Sequence, residues 1–116
     1  IDTLKDILEL MARAAKDNRI VDSIRYGSQF HHTLYEPSGN KTAIQFLGQL
    51  NSHIERYRRL SGYRNPKYVS ILPVEEHQRV LTAIIKRDEE LAEKEMRAHI
   101  RRSLLTIIET LRLTID

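Results

Sequence analysis

Apolar residues recur every three or four positions along most of the chain, which is the pattern of amphipathic helices. The clearest stretch lies near the start, where Leu4, Ile7, Leu8 and Met11 fall on one helical face. No alternating pattern typical of strands stands out. The sequence therefore predicts an all-α fold, an antiparallel helical bundle of five to six helices joined by short connections.

Polar residues, Gly and Pro mark where the predicted helices begin and end. Asp2 or Thr3 is a candidate cap for the first helix, and Asn40 and Asp88 are candidate caps for the third and fifth. Pro73 suits the first position of the fourth. Residues 63–72 are expected to form a loop with one helical turn. The predicted helices span about residues 2–16, 20–35, 40–60, 73–87 and 88–111.

The third predicted helix carries an apolar stripe that we expect to face the core. Ser61 and Gly62 are expected to end this helix. The stripe consists of Ala43, Leu47, Leu50, Ile54 and Tyr57.

Length and composition favour one globular domain over residues 1–116. Hydrophobic residues make up 41% and charged residues 30%, and no apolar run is long enough for a transmembrane helix. Cysteine is absent, which excludes disulfides and thiolate metal sites. The net charge of +3 is too small to indicate a nucleic-acid binder by itself. Because the chain begins at Ile1, we expect it to be a piece of a longer protein.

Three of the five histidines lie on or beside the apolar stripes of their helices: His31, His77 and His99. His77 and His99 are each about 10 or 11 residues from the turn at residues 87–88, so a helical hairpin brings them level. Imidazoles that converge in a chain without cysteine suggest Zn²⁺, Ni²⁺ or a similar metal. The alternative is three separate core histidines, each hydrogen-bonded to a neighbour.

A basic segment, residues 56–68, interleaves arginines with tyrosines. Such a segment can bind nucleic acid, but cations also interact favourably with the last turn of a helix. We favour this second interpretation. Arg97, Arg101 and Arg102 are interpreted as a solvated face near Glu93 and Glu95.

Catalysis is not expected, although three histidines with an open position also describe a catalytic zinc site. An enzyme needs a general base beside the metal-bound water. Glu76 adjoins His77 but points about 100° away from it on a helix. No other inward carboxylate is apparent, and no phosphate loop or catalytic triad is present. A small metal-dependent enzyme and a purely structural helical dimerisation module are therefore kept as alternatives.

The order of several short motifs resembles the FCD domain, the C-terminal effector-binding domain of FadR-type regulators in the GntR family. The gap of 22 residues between His77 and His99 agrees with the family pattern. The resemblance covers about residues 4–102. The motifs that carry it are Phe30-His31-His32-Thr33-Leu34, Ser38-Gly39-Asn40, Glu76-His77, Lys86-Arg87-Asp88 and Met96-Arg97-Ala98-His99-Ile100.

The resemblance implies a cytoplasmic regulator that binds a small organic acid, a metal, or both, and forms a homodimer. It also implies that DNA is bound only through an N-terminal winged helix-turn-helix domain, which this chain lacks. No membrane partner is expected.

In metal-binding members of this family, one aspartate and three histidines hold the metal. Carried over by position, the histidines are His31, His77 and His99, whereas the aspartate position is Gly27 here. Three histidines with water or an effector carboxylate remain a reasonable metal site. His53 and Tyr57 are further candidates to line the effector pocket.

Overall fold

The structure, a computed structural model, describes residues 1–65, 68–69 and 71–115. These residues form no strand, which confirms the predicted all-α fold. None of the described helices combines the length and hydropathy needed to cross a bilayer. A short 3₁₀ turn, Glu36–Ser38, separates the second helix from the third. The five helices are α1 (Asp2–Lys16), α2 (Ile20–Tyr35), α3 (Lys41–Arg64), α4 (Ile71–Ile85) and α5 (Glu89–Ile115).

Two helical hairpins pack together to form the bundle. Helix α1 packs against α2 and α4, and α5 packs against α4 and α3. The apolar face of α1 supplies half of the core, and Phe30 on α2 is fully buried against it. The core consists of Leu4, Ile7, Leu8, Met11, Phe30, Val74, Val80 and Leu81.

The bounds of α1 and α2 and the start of α5 follow the sequence prediction closely, whereas α5 runs about four residues further than predicted, to Ile115. The Asn40 side chain accepts a hydrogen bond from the Ala43 N–H at 3.0 Å, and Asp88 accepts one from the Leu91 N–H at 3.0 Å, so both predicted caps are confirmed. Asn18 and Arg87 adopt left-handed backbone conformations just after α1 and α4, which end both helices sharply. At the start of α1, Ile1 takes the cap position without a side-chain hydrogen bond, so neither Asp2 nor Thr3 caps this helix.

Helices α3 and α4 differ from their predicted bounds. Helix α3 continues through Gly62 to Arg64 instead of ending there. Gly62 is used for close packing, because a Cβ atom at this position would lie 2.5 Å from Cγ2 of Ile20. Helix α4 begins at Ile71, so Pro73 sits within the first turn, where its missing N–H has no helical acceptor to lose. Residues 66, 67 and 70 of the expected loop lie outside the described residues.

The inward face of α3 also differs from the predicted stripe. Leu47 is 38% exposed and Leu50 is 53% exposed, because the first half of α3 has few neighbours. The second half instead packs through Ser61, whose hydroxyl accepts a hydrogen bond from Thr110 on α5 at 3.0 Å. This polar contact ties the end of α3 to α5.

Candidate metal and effector site

Three helices bring His31, His77 and His99 to one point in the bundle. The Nε2 atom of His31 lies 3.1 Å from Nε2 of His77 and 3.2 Å from Nε2 of His99. All three side chains are buried or nearly so. One ligand atom from each residue lies within 4.8 Å of the others, a spacing that suits a single metal ion.

The outer nitrogens of two of these rings have acceptors that fix the tautomer. His77 Nδ1 donates to the carbonyl oxygen of Pro73 at 2.6 Å, and His99 Nδ1 donates to Oε1 of Glu76 at 2.7 Å. A ring whose only proton is held on Nδ1 presents the lone pair of Nε2 to the common point. The third ring contacts the hydroxyl of Tyr35 through Nδ1 at 3.3 Å.

Burial keeps His31 and His77 in the form that binds metal. Burial, together with the nearby His77 and His99, lowers the pKa of His31 to about 2. Burial, together with His99, lowers the pKa of His77 to about 3. Neutral imidazole is the species that ligates a metal, so these rings need lose no proton near neutral pH.

Glu76 is part of the site, which corrects the expectation that no inward carboxylate contacts the cluster. Burial alone would raise the pKa of Glu76, but hydrogen bonds from His99 and Arg102 lower it to about 2. Arg102 donates through Nε and Nη2 to the two carboxylate oxygens, at 2.7 and 2.6 Å. Although Glu76 turns away from His77 on α4, it turns toward α5, where His99 and Arg102 lie one turn apart.

The same contacts correct the interpretation of the arginines on α5. Arg97 does pair with Glu93, at 2.9 Å, on an exposed face as expected. Arg102 leaves that face and is half-buried against Glu76. Its position three residues after His99 places both side chains on the same side of the helix.

A partly open cavity of about 40 Å³ adjoins the histidines. This is more than the 10–15 Å³ or so that one water requires. His77 and His99 form part of its wall, and Met11 and Ile107 add apolar surface. The remaining polar lining residues are Ser23, Arg58, Ser61, Tyr68, Arg102, Ser103 and Thr106.

Arg58 departs from the rest of the basic segment by turning into this cavity. Burial and the neighbouring Arg102 lower the pKa of its guanidinium. Its charge also contributes to the lowered pKa of His31 and His77, which places it near the cluster. Sequence reasoning missed Arg58, although it lies four residues after Ile54 on the same face of the helix.

Gly27 lies against the cluster, as its family position implies. A Cβ atom built there would lie 3.4 Å from Cε of Met11 and 3.8 Å from Nε2 of His77, both ordinary contact distances. The space beside the His77 ligand atom is therefore open toward the cavity, which Gly27 also lines.

His53 and Tyr57 are not among the residues that line this cavity. His53 is exposed and contacts Arg56 at 3.4 Å, and Tyr57 is 38% exposed. Both sit one position before the residues that face inward, Ile54 and Arg58, so each is rotated about 100° toward solvent.

The fold and the site together define a helical domain with a buried cluster of three histidines beside a cavity. The sequence matches the FCD domain family over residues 1–102, which is most of the chain. The chain therefore belongs to the FCD family, the effector-binding domain of GntR-type regulators. FCD is a regulatory domain of transcription factors and not a known enzyme family. Neither a curated protein nor a solved structure matches the chain significantly.

Proposed function

We propose that this domain senses a small organic acid through a divalent metal, Zn²⁺ or Ni²⁺, held by His31, His77 and His99. The observation that carries the proposal is the meeting of three Nε2 atoms while two of the Nδ1 atoms donate to fixed acceptors. Outer contacts of this kind orient histidine ligands and strengthen metal binding.

The donor set suits a borderline metal. Imidazole nitrogens favour Zn²⁺ and Ni²⁺, whereas Mg²⁺ and Ca²⁺ prefer oxygen ligands. Three protein ligands leave at least one position for water or for an acid. The metal would supply a positive centre to which a carboxylate binds.

The cavity beside the histidines is the proposed place for the acid. Its volume, about 40 Å³, suits a molecule of few atoms, and its polar wall includes two arginines. Because α2, α4 and α5 each contribute a histidine, an acid bound there would favour one arrangement of these helices over another. That differential affinity is the physical basis of a regulatory response.

The response would act through the rest of the regulator. We propose that residues 1–116 form one ligand-binding and dimerisation domain, and that the domain works as a homodimer in the cytoplasm. DNA would be contacted only by a winged helix-turn-helix domain outside this chain.

Metal content of the purified chain tests the proposal. We expect about one equivalent of zinc or nickel by elemental analysis, and its loss in a His77→Ala variant. The matched control is His53→Ala, which removes an exposed histidine and should leave the metal content unchanged. If the wild-type chain contains no metal after incubation with zinc, the metal proposal is wrong. The remaining functions would be a metal-free ligand site or a dimerisation module.

A further inference from the structure

The two arginines that line the cavity differ in what balances their charge. Arg102 is held by both oxygens of Glu76. Within the described part of the chain, no carboxylate lies within ion-pair distance of Arg58, and no hydrogen bond from its guanidinium is found. A half-buried guanidinium needs hydrogen-bond or ionic partners, and the described residues do not supply one for Arg58.

The space beside Gly27 presents a second unfilled position. The absence of a side chain there leaves the His77 ligand atom open to the cavity. The charges around this space are unbalanced. Glu76 is already paired with Arg102, and a divalent metal held by the histidines would add positive charge to the cavity that Arg58 lines. Burying such an excess of positive charge is costly unless an anion accompanies it.

We propose that the ligand of this cavity is a small acid with two anionic groups, one placed beside Gly27 at the metal and the other paired with Arg58. The inference rests on the proposed function and narrows its ligand class. The small cavity limits the acid to a short chain, and Gly27 and Arg58, which both line it, are the two places proposed for its charged groups. An arginine binds carboxylate through paired hydrogen bonds, so Arg58 would discriminate a dicarboxylate from a monocarboxylate of equal length.

Calorimetric titration of the zinc-loaded chain with malonate and with propionate tests this. The two acids share three carbons and differ by one carboxylate. We expect malonate to bind at least tenfold more tightly than propionate. Arg58→Gln should abolish this preference while zinc content and the helical circular dichroism stay unchanged. The matched control is Arg56→Gln, which removes an exposed arginine two residues away and should retain the preference.

Gly27→Asp provides a second, independent variant. Its carboxylate would fill the open space beside His77, so zinc should remain bound while malonate affinity falls at least tenfold. Equal binding of the two acids by the wild-type chain, no binding of either, or a preference that survives Arg58→Gln would each overturn the inference.

Failure of the metal proposal is recognised separately, as a wild-type chain that binds no zinc. The same titrations then apply to the metal-free chain. A malonate preference that depends on Arg58 would still support the assignment of the ligand class, and its absence would overturn it.

Discussion

The carboxylate of Glu76 links three functions of the site through its two oxygens. It holds the Nδ1 proton of His99, and it balances and positions Arg102 in the cavity wall. A carboxylate–histidine pair of this type raises the basicity of the ligand nitrogen and fixes the ring. Glu76 is therefore a positioning residue that would never contact the metal itself.

Glu76→Gln should weaken zinc binding by roughly 10- to 100-fold, the usual effect of losing an outer contact of a metal ligand. The amide still fills the space but can no longer bear the charge that holds Arg102. A competition titration against a zinc chelator measures the change. Glu75→Gln, one residue earlier on the exposed side of α4, should have wild-type affinity. Equal affinities for the two variants would show that Glu76 only fills space.

The metal-free chain should lose stability as the pH falls below about 6.5. His31 and His77 have pKa values of about 2 and 3 in the fold, against 6.5 ordinarily. Between those limits these two residues bind about two more protons in the unfolded chain than in the fold, so their contribution lowers the unfolding free energy by up to about 2.7 kcal/mol per pH unit. Stability from these groups is complete above pH 6.5 and is lost toward pH 3.

Urea unfolding at several pH values between 4.5 and 7.5 measures this slope. His77→Gln should reduce it by about one proton, or about 1.4 kcal/mol per pH unit. A wild-type slope no steeper than that of His77→Gln would contradict the neutral, buried state of the cluster.

At the scale of elements, the two glycines of α3 have opposite roles. A Cβ at Gly48 would meet nothing within 4 Å, whereas a Cβ at Gly62 would lie 2.5 Å from Cγ2 of Ile20. Glycine lowers helix stability at both positions by the same intrinsic amount. Only at Gly62 does the packing of α2 against α3 require it.

Gly48→Ala should therefore raise the unfolding free energy by up to about 1 kcal/mol. Gly62→Ala should lower it by about 1–3 kcal/mol, because overpacking outweighs the gain in helix propensity. Thermal unfolding followed by circular dichroism compares the two variants directly. Stabilisation by both substitutions would mean that α2 and α3 do not approach closely at residue 62.

The same comparison explains why sequence predicted some elements well and others poorly. Asn40 and Asp88 cap helices through hydrogen bonds to the backbone three residues later, so both partners lie within one short stretch of sequence. The end of α3 depends on Ile20, more than 40 residues away, so local glycine chemistry pointed to the wrong boundary. The exposed first half of α3 was likewise misjudged, because periodicity does not reveal how many neighbours a helix has.

The candidate site also contains residues whose positions the sequence predicted and residues whose positions it did not. Counting residues from the turn at 87–88 places His77 and His99 level, and the structure has their ring centroids 4.5 Å apart. Placing His31 beside them required the family resemblance, since no turn relates α2 directly to α5. Arg58 and Glu76 depend on the rotation of α3 and α4 about their own axes, which the pattern of apolar residues did not determine.

At the scale of the whole molecule, α5 carries an apolar stripe that the bundle leaves uncovered. Its residues recur at helical spacing along one side: Ile100, Leu104, Ile108 and Leu111. A continuous exposed stripe of this kind is typical of an interface, and the proposed homodimer would cover it with a second copy.

Leu104→Glu should convert the chain to a monomer, because it places a charge in the middle of the stripe, where Leu104 is 54% exposed. Sedimentation velocity at tens of micromolar protein separates the two states. Ile85→Glu is the matched control, since Ile85 is 45% exposed but lies at the end of α4, away from the stripe. A wild-type monomer, or a Leu104→Glu variant that remains dimeric, would show that the stripe on α5 is not a dimer interface.

Metal binding should also stabilise the molecule as a whole, because the three histidines come from α2, α4 and α5 and meet only when the bundle is folded. A ligand that binds the folded state alone adds about 2.7 kcal/mol when its free concentration is 100 times its Kd. For a domain of this size, that corresponds to a rise in Tm of about 10 °C. His99→Ala should abolish the rise and His53→Ala should keep it. Mg²⁺ should produce none, because it prefers oxygen ligands. An equal response to Zn²⁺ in wild type and His99→Ala would place the metal elsewhere on the protein.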